Sequence, residues 1–135
     1  MNFTIIKKLP SNEQIIQNFP LSENGYERVV QDKQEVKNIL AGKDPRLLII
    51  VGPCSAWPFD AVLKYAEKLF ELNKKVKEHL KIVMRVYIQK PRTAKGWTGP
   101  VNQPDPFAAP DIQEGVRYSR NLMVKIIEMG LPIAD

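Results

Sequence analysis

A single cysteine, Cys54, and three cations, Arg85, Lys90 and Arg92, are the residues of this chain whose types and placement could do chemistry. The thiol lies in Gly52-Pro53-Cys54-Ser55, directly after the apolar run Leu47–Val51. The cations lie in a second run, Ile82–Tyr87, and in the Lys90-Pro91-Arg92-Thr93 that follows it. Arginine presents a planar fork and lysine a mobile point charge, so the set suits a small substrate rich in phosphate and carboxylate. A lone thiol in that company is a metal ligand, a nucleophile, or a small residue packed at a strand end. The one histidine, His79, lies far along the chain at the end of a charged helix, which weighs against a thiol–imidazole nucleophile and gives His79 no role. Arg85 interrupts an apolar strand, where an unpaired guanidinium is very costly to bury; it needs an anion, either a ligand or a structural carboxylate.

Two strands must carry these groups. Apolar runs separated by helical patterns point to parallel strands covered on both faces, and ligands in such folds gather beyond the strands' carboxyl ends. Before them, Ser11 and Gln14 make a capping box for a helix through Gln17, stopped by Phe19-Pro20. Tyr26, Val29, Val30, Lys33, Val36, Lys37 and Leu40 then recur at helical spacing, giving one wet and one buried face, with Gly42 and Pro45 past the end. After the first strand, Pro58 and Asp60 introduce a long helix with Val62, Tyr65, Ala66, Leu69, Phe70, Leu72 and Val76 inward. Its Lys- and Glu-rich opposite side reads as a solvated face. The stretch from Ile88 to Pro110, rich in Pro and Gly, exceeds the roughly 12–15 residues usual for an unstructured loop and is expected to cover a substrate. Asp111 and Glu114 start a last helix that ends at Gly130, and Leu131–Asp135 begins a third strand. Trp57 and Trp97 are expected to pack.

Composition narrows the class. The 135 residues, 44% hydrophobic and 26% charged, have the length and balance of one ordinary globular domain. No run approaches the ~18 apolar residues of a membrane span, and the amino terminus lacks a signal peptide's apolar core. One cysteine forms no internal disulfide, and a needed thiol fits a reducing, cytoplasmic compartment. The net charge of +5 raises nucleic acid as a partner, but the basic residues are spread over helix faces and loops, so neither nucleic acid nor membrane is expected.

GPCS at 52–55 and RVYIQKPRTAKGWTG at 85–99 resemble the first two active-site segments of the metal-dependent 3-deoxy-D-arabino-heptulosonate 7-phosphate (DAHP) synthases, which open the shikimate pathway. The resemblance runs from IIKKLPSNEQIIQNFPLSENGYERVV through DPRLLIIVGPCS to RNLMVKIIEMGLPIAD. KPRT separates this family from the octulosonate-phosphate synthases, which share its barrel. The resemblance implies an α/β fold: the N-terminal part of a TIM (β/α)8 barrel at 46–135, comprising two βα units and the start of a third strand, behind a helical extension at 1–45. Such a barrel takes roughly 250 residues, so 135 hold only its opening portion and are expected to be inactive alone. The alternative is a non-catalytic remnant serving as an interaction or regulatory module for a complete synthase.

By the same resemblance the substrates are phosphoenolpyruvate and erythrose 4-phosphate. Arg85 and Lys90 would contact the first and act in catalysis, and Pro91, Arg92 and Thr93 would contact the second. Cys54 would be one ligand of a divalent metal of the Mn, Fe, Co or Zn type, and the full-length protein a homo-oligomer. Two positions depart from the family pattern. Ala56-Trp57-Pro58 replaces a His-Asp-type segment after GPCS, and Gln89 replaces a glutamate before KPRT.

Overall fold

Backbone pairing begins where the apolar runs begin. The computed structural model describes residues 4–5, 7–92 and 95–135. In them β1 (Leu47–Val51), β2 (Leu80–Arg85) and β3 (Ile133–Ala134) form a parallel sheet in the order β1-β2-β3. Helices α1 (Asn12–Asn18) and α2 (Glu23–Leu40) precede β1, α3 (Phe59–Val76) joins β1 to β2, and α4 (Ile112–Met129) joins β2 to β3.

The helix boundaries follow from local chemistry. Ser11 Oγ accepts from Gln14 N–H at 3.3 Å while the Gln14 side chain accepts from Ser11 N–H at 2.9 Å, completing the expected capping box. Ser22 caps α2 in turn, and Glu128 of α4 holds Ser22 by hydrogen bonds of 2.7 and 2.8 Å. Asp111 caps α4 through Glu114 N–H, and Gly130 ends it at φ 113°, a left-handed position where a Cβ would also stand 2.8 Å from Phe70.

One face of the sheet is packed and the other is not. Successive strand residues alternate between faces. Ile82, Met84 and Val86 meet Val62, Ala66 and Leu69 of α3 and Leu122 and Ile126 of α4 in the buried core. Lys81, Val83 and Arg85 point the other way. There α2 stands off from the sheet across a groove of about 700 Å³, lined by Val29, Val36, Leu48, Ile50, Val83 and Ile133.

What fastens α2 to the sheet is charge. Lys81 is buried and donates to Asp32 and, at 2.8 Å, to Glu35. Glu35 also accepts from Arg46 at 2.8 Å, and Arg46 pairs with Asp44 at 2.7 Å. Burial works against the Glu35 carboxylate, but the hydrogen bonds from Lys81 and Arg46 outweigh it and hold its pKa below the ordinary range.

Several expectations are corrected. The second strand runs Leu80–Arg85 instead of Ile82–Tyr87, because Lys81, polar in sequence, is neutralised by α2 and so fits inside the ladder. Burial on both faces fails at Ile50, 57% exposed, which borders the groove that α2 leaves open, and at Leu47, 61% exposed, on the other face at the start of β1. Tyr26, Val30 and Leu40 lie on the exposed side of α2, so its apolar spacing does not make a buried face. Leu72 is likewise exposed, lying on the solvated side of α3.

Replacing Lys81 by Ala leaves Asp32 without its ammonium in a mostly buried position, so we expect a loss of roughly 3 kcal/mol, at the low end for breaking a buried pair because Glu35 keeps Arg46. Urea unfolding measures it; a change under 0.5 kcal/mol would show that the network does not anchor α2. The Glu35 contribution has the carboxylate sign. It is fully present above the unfolded value of about pH 4.3 and is lost as pH falls through the depressed folded value.

Candidate active site at the strand ends

The register Leu47↔Leu80 through Val51↔Met84 delivers both strands to the same end, setting Gly52 beside Arg85. The approach is so close that a Cβ on Gly52 would lie 2.1 Å from the Arg85 carbonyl oxygen. Across this seam Arg85 Nη2 donates to the Gly52 and Pro53 carbonyls at 3.2 and 3.0 Å. Its Nε is buried without a hydrogen-bond partner among the described residues. Lys90 returns from the next loop to donate to the Cys54 carbonyl at 2.6 Å, with its Nζ 3.3 Å from Sγ. The Tyr87 ring lies 5.3 Å from both the Arg85 guanidinium carbon and the Lys90 ammonium, so one aromatic group carries two cations.

Cys54 is exposed, and the Lys90 ammonium, by hydrogen bond and by charge, holds its thiol below the ordinary value, with lesser help from Ser55 and Arg85. The loop that carries it is pinned at Ala56. This residue is fully buried, donates to the Tyr87 carbonyl at 3.1 Å and accepts from Tyr118 Oη of α4 at 2.8 Å. Burial and the Asp60 carboxylate push the Tyr118 hydroxyl further up from the ordinary tyrosine value, at which it is already a donor at neutral pH.

Cys54, Arg85 and Lys90, three of the residues expected from sequence, thus converge. Arg92 and Pro91 lie exposed on the following loop, where Arg92 Nε donates to the Trp97 carbonyl at 3.2 Å. Thr93 lies outside the described residues. Among the described residues no carboxylate forms a salt bridge with Arg85, Lys90 or Arg92, so the structural ion pair weighed for Arg85 is not what satisfies it. The Ile88–Pro110 stretch folds on itself through Lys90 N–H to Thr98 O at 2.8 Å and Val101 N–H to Ile88 O at 3.1 Å. Sequence reading missed Tyr87 and Tyr118. Tyr118 had a signal, since it precedes Leu122 and Ile126 at steps of four on the buried side of α4.

No group of three His, Cys, Asp or Glu side chains that could hold a metal ion occurs among the described residues. Cys54 offers a soft, readily ionised ligand, but one thiolate does not make a divalent-metal centre. The described residues therefore do not by themselves fit the metal. No helix among them is long and apolar enough to cross a membrane.

Comparison with known proteins places this site in context. The model of the DAHP synthetase I family matches residues 18–134. The chain is 41% identical over 126 residues to a phospho-2-dehydro-3-deoxyheptonate aldolase of Corynebacterium glutamicum, an alignment covering 93% of this chain and 34% of that protein. It is 40% identical over 129 residues to the Phe-sensitive enzyme of Escherichia coli, covering 96% and 37%. A solved phospho-2-dehydro-3-deoxyheptonate aldolase from Francisella tularensis superposes with a TM-score of 0.92 at 41% identity, over 98% of this chain and 39% of that one. The chain spans about a third of the length of the curated relatives it matches.

Iodoacetamide reacts with the thiolate, so the pH profile of Cys54 alkylation reads its ionisation directly. We expect a midpoint below the roughly 8.5 of a free thiol. Removing the cation in Lys90→Gln should move that midpoint up, because the charged form loses its partner. Equal midpoints in the two proteins would show that the Lys90 contact does not form in solution.

Proposed function

Because the chain belongs to the DAHP synthetase I family, we propose that its strand ends bind the substrates of a DAHP synthase, which condenses phosphoenolpyruvate with erythrose 4-phosphate. In that reaction the enol carbon of phosphoenolpyruvate attacks the aldehyde, water adds at the adjacent carbon, and phosphate leaves. The sheet then corresponds to the opening strands of a (β/α)8 barrel, with residues 1–45 as its extension.

One observation carries this reading: Arg85 and Lys90 share the Tyr87 ring with no carboxylate partner, and the Arg85 Nε is buried and unpartnered among the described residues. Two head groups whose positive charge no carboxylate balances among the described residues favour an anionic ligand. Phosphoenolpyruvate brings a carboxylate and a phosphate of the required sign, and the two cations hold it in line for attack. Pro91, Arg92 and Thr93 are assigned to erythrose 4-phosphate, with Arg92 on its phosphate. Cys54, its thiol held below the ordinary value by Lys90, is assigned as one ligand of a divalent metal, which would serve as a Lewis acid. Assembly as a homo-oligomer and a cytoplasmic location complete the proposal for the family-length protein.

Two measurements test it. The 135 residues alone should bind phosphoenolpyruvate without turning it over, because one thiolate cannot assemble the metal centre. DAHP formation by them at the roughly 1–10³ s⁻¹ typical of enzymes would contradict this. In a synthase carrying these residues, Lys90→Ala should raise KM for phosphoenolpyruvate about 10- to 100-fold, the loss of one charge-assisted contact, and Arg92→Ala should raise KM chiefly for erythrose 4-phosphate. Identical effects of the two substitutions on both substrates would remove the assignment.

A further inference from the structure

Trp57 stands three residues after Cys54, and its ring packs between two loops. It leaves the loop after β1 and meets the loop after β2. Its ring sits edge-to-face with Trp97 at 6.3 Å and 69°, and with Phe107 at 6.1 Å and 67°. Trp97 is fastened on its other side, its Nε1 donating to the Gln103 carbonyl at 2.8 Å, and Gln103 is itself tied to the Ala108 carbonyl at 2.6 Å. The carbonyl of Trp97 accepts from Arg92 Nε at 3.2 Å, and the Arg92 side chain lies across Gly96, where a Cβ would stand 3.7 Å from Nε.

A chain of contacts therefore runs from Trp57 through Trp97 to Arg92. We propose that Trp57 is a positioning residue for Arg92, bracing the loop that carries this exposed guanidinium against the loop that carries Cys54, so that Arg92 meets a sugar phosphate already oriented. The proposal rests on the reading of Arg92 as a phosphate contact. A guanidinium has five N–H donors, so Nε can serve the loop while the terminal pair serves an oxyanion. An exposed Arg otherwise orders its rotamers on binding, and that cost returns as lost affinity. Edge-to-face aromatic pairs supply orientation as well as burial, which is what a brace between two loops requires. Phe107, 88% exposed, extends the brace outward without filling a core.

The test reads Arg92 itself. In ¹⁵N-labelled chain the Arg92 Nε–H resonance, assigned by its loss in Arg92→Lys, should be protected from water exchange and should shift on titration with erythrose 4-phosphate and with inorganic phosphate. Trp57→Ala should speed its exchange and weaken both titrations about three- to tenfold, while leaving the response to phosphoenolpyruvate at Arg85 and Lys90 unchanged. Trp57→Phe, which keeps an aromatic edge, should restore the protection. If Trp57→Ala does not fold, Trp57→Leu, which keeps apolar volume and removes the ring, takes its place.

Unchanged exchange and unchanged phosphate affinity in the ring-less variant, with a normal wild-type response, would overturn the positioning role and leave the phosphate role of Arg92 standing. No shift of the wild-type resonance with either phosphate would overturn both. A uniform loss extending to phosphoenolpyruvate would show a general packing role instead.

Discussion

The contact on which the rest depends is the close approach of Gly52 to the Arg85 carbonyl. In a parallel pair the residue after one strand comes level with the end of its neighbour, and here the two backbones leave no room for a Cβ. That approach lets Arg85 reach the Gly52 and Pro53 carbonyls, which fixes the path of the chain into Cys54. Lys90 then closes the seam from the second loop. With a side chain at 52 the strand ends would separate, and the thiol, the guanidinium and the ammonium would no longer share one face.

The helices attach to the two faces of the sheet differently. On the packed face, Tyr118 of α4 and the Tyr87 carbonyl pin Ala56, so the turn after Cys54 is set by the helical layer. On the open face, α2 reaches the sheet through Lys81 at the start of β2, away from the site, and leaves Val83 and Ile50 beside an apolar groove. Buried charge fixes geometry at a desolvation cost that packed aliphatic residues would avoid. Here it sets where α2 attaches, and the open face of the sheet stays unfilled beside it.

Much of this was legible in the sequence where one local rule acts alone. The Ser11 capping box, the Asp111 cap, the Gly130 stop and the limits of β1 each follow from a few neighbouring residues, and each forms as expected. The start of β2 was not legible, because Lys81 reads as a surface residue until Asp32 and Glu35, 49 and 46 positions away, neutralise it. The buried face assigned to α2 failed for a related reason, since helical spacing records an apolar stripe but not whether anything arrives to cover it. At the site, residue type showed that Cys54, Arg85 and Lys90 belong together. The roles of Tyr87 and Tyr118 depend on which way a ring points across a parallel seam, and that is fixed only in three dimensions.

The central claim is that the loops after β1 and β2 meet at one end of a parallel pair. Cys54 is the only cysteine and is exposed, so a nitroxide attached to it reports on its surroundings without further engineering. Paramagnetic broadening of backbone amides, measured against the reduced label, should be strong at Val86–Lys90 and at Ala134, and absent at Leu47 and His79–Lys81 at the far end of the same strands. Broadening of His79–Lys81 together with sharp signals from Tyr87 and Lys90 would contradict the parallel register and the site built on it.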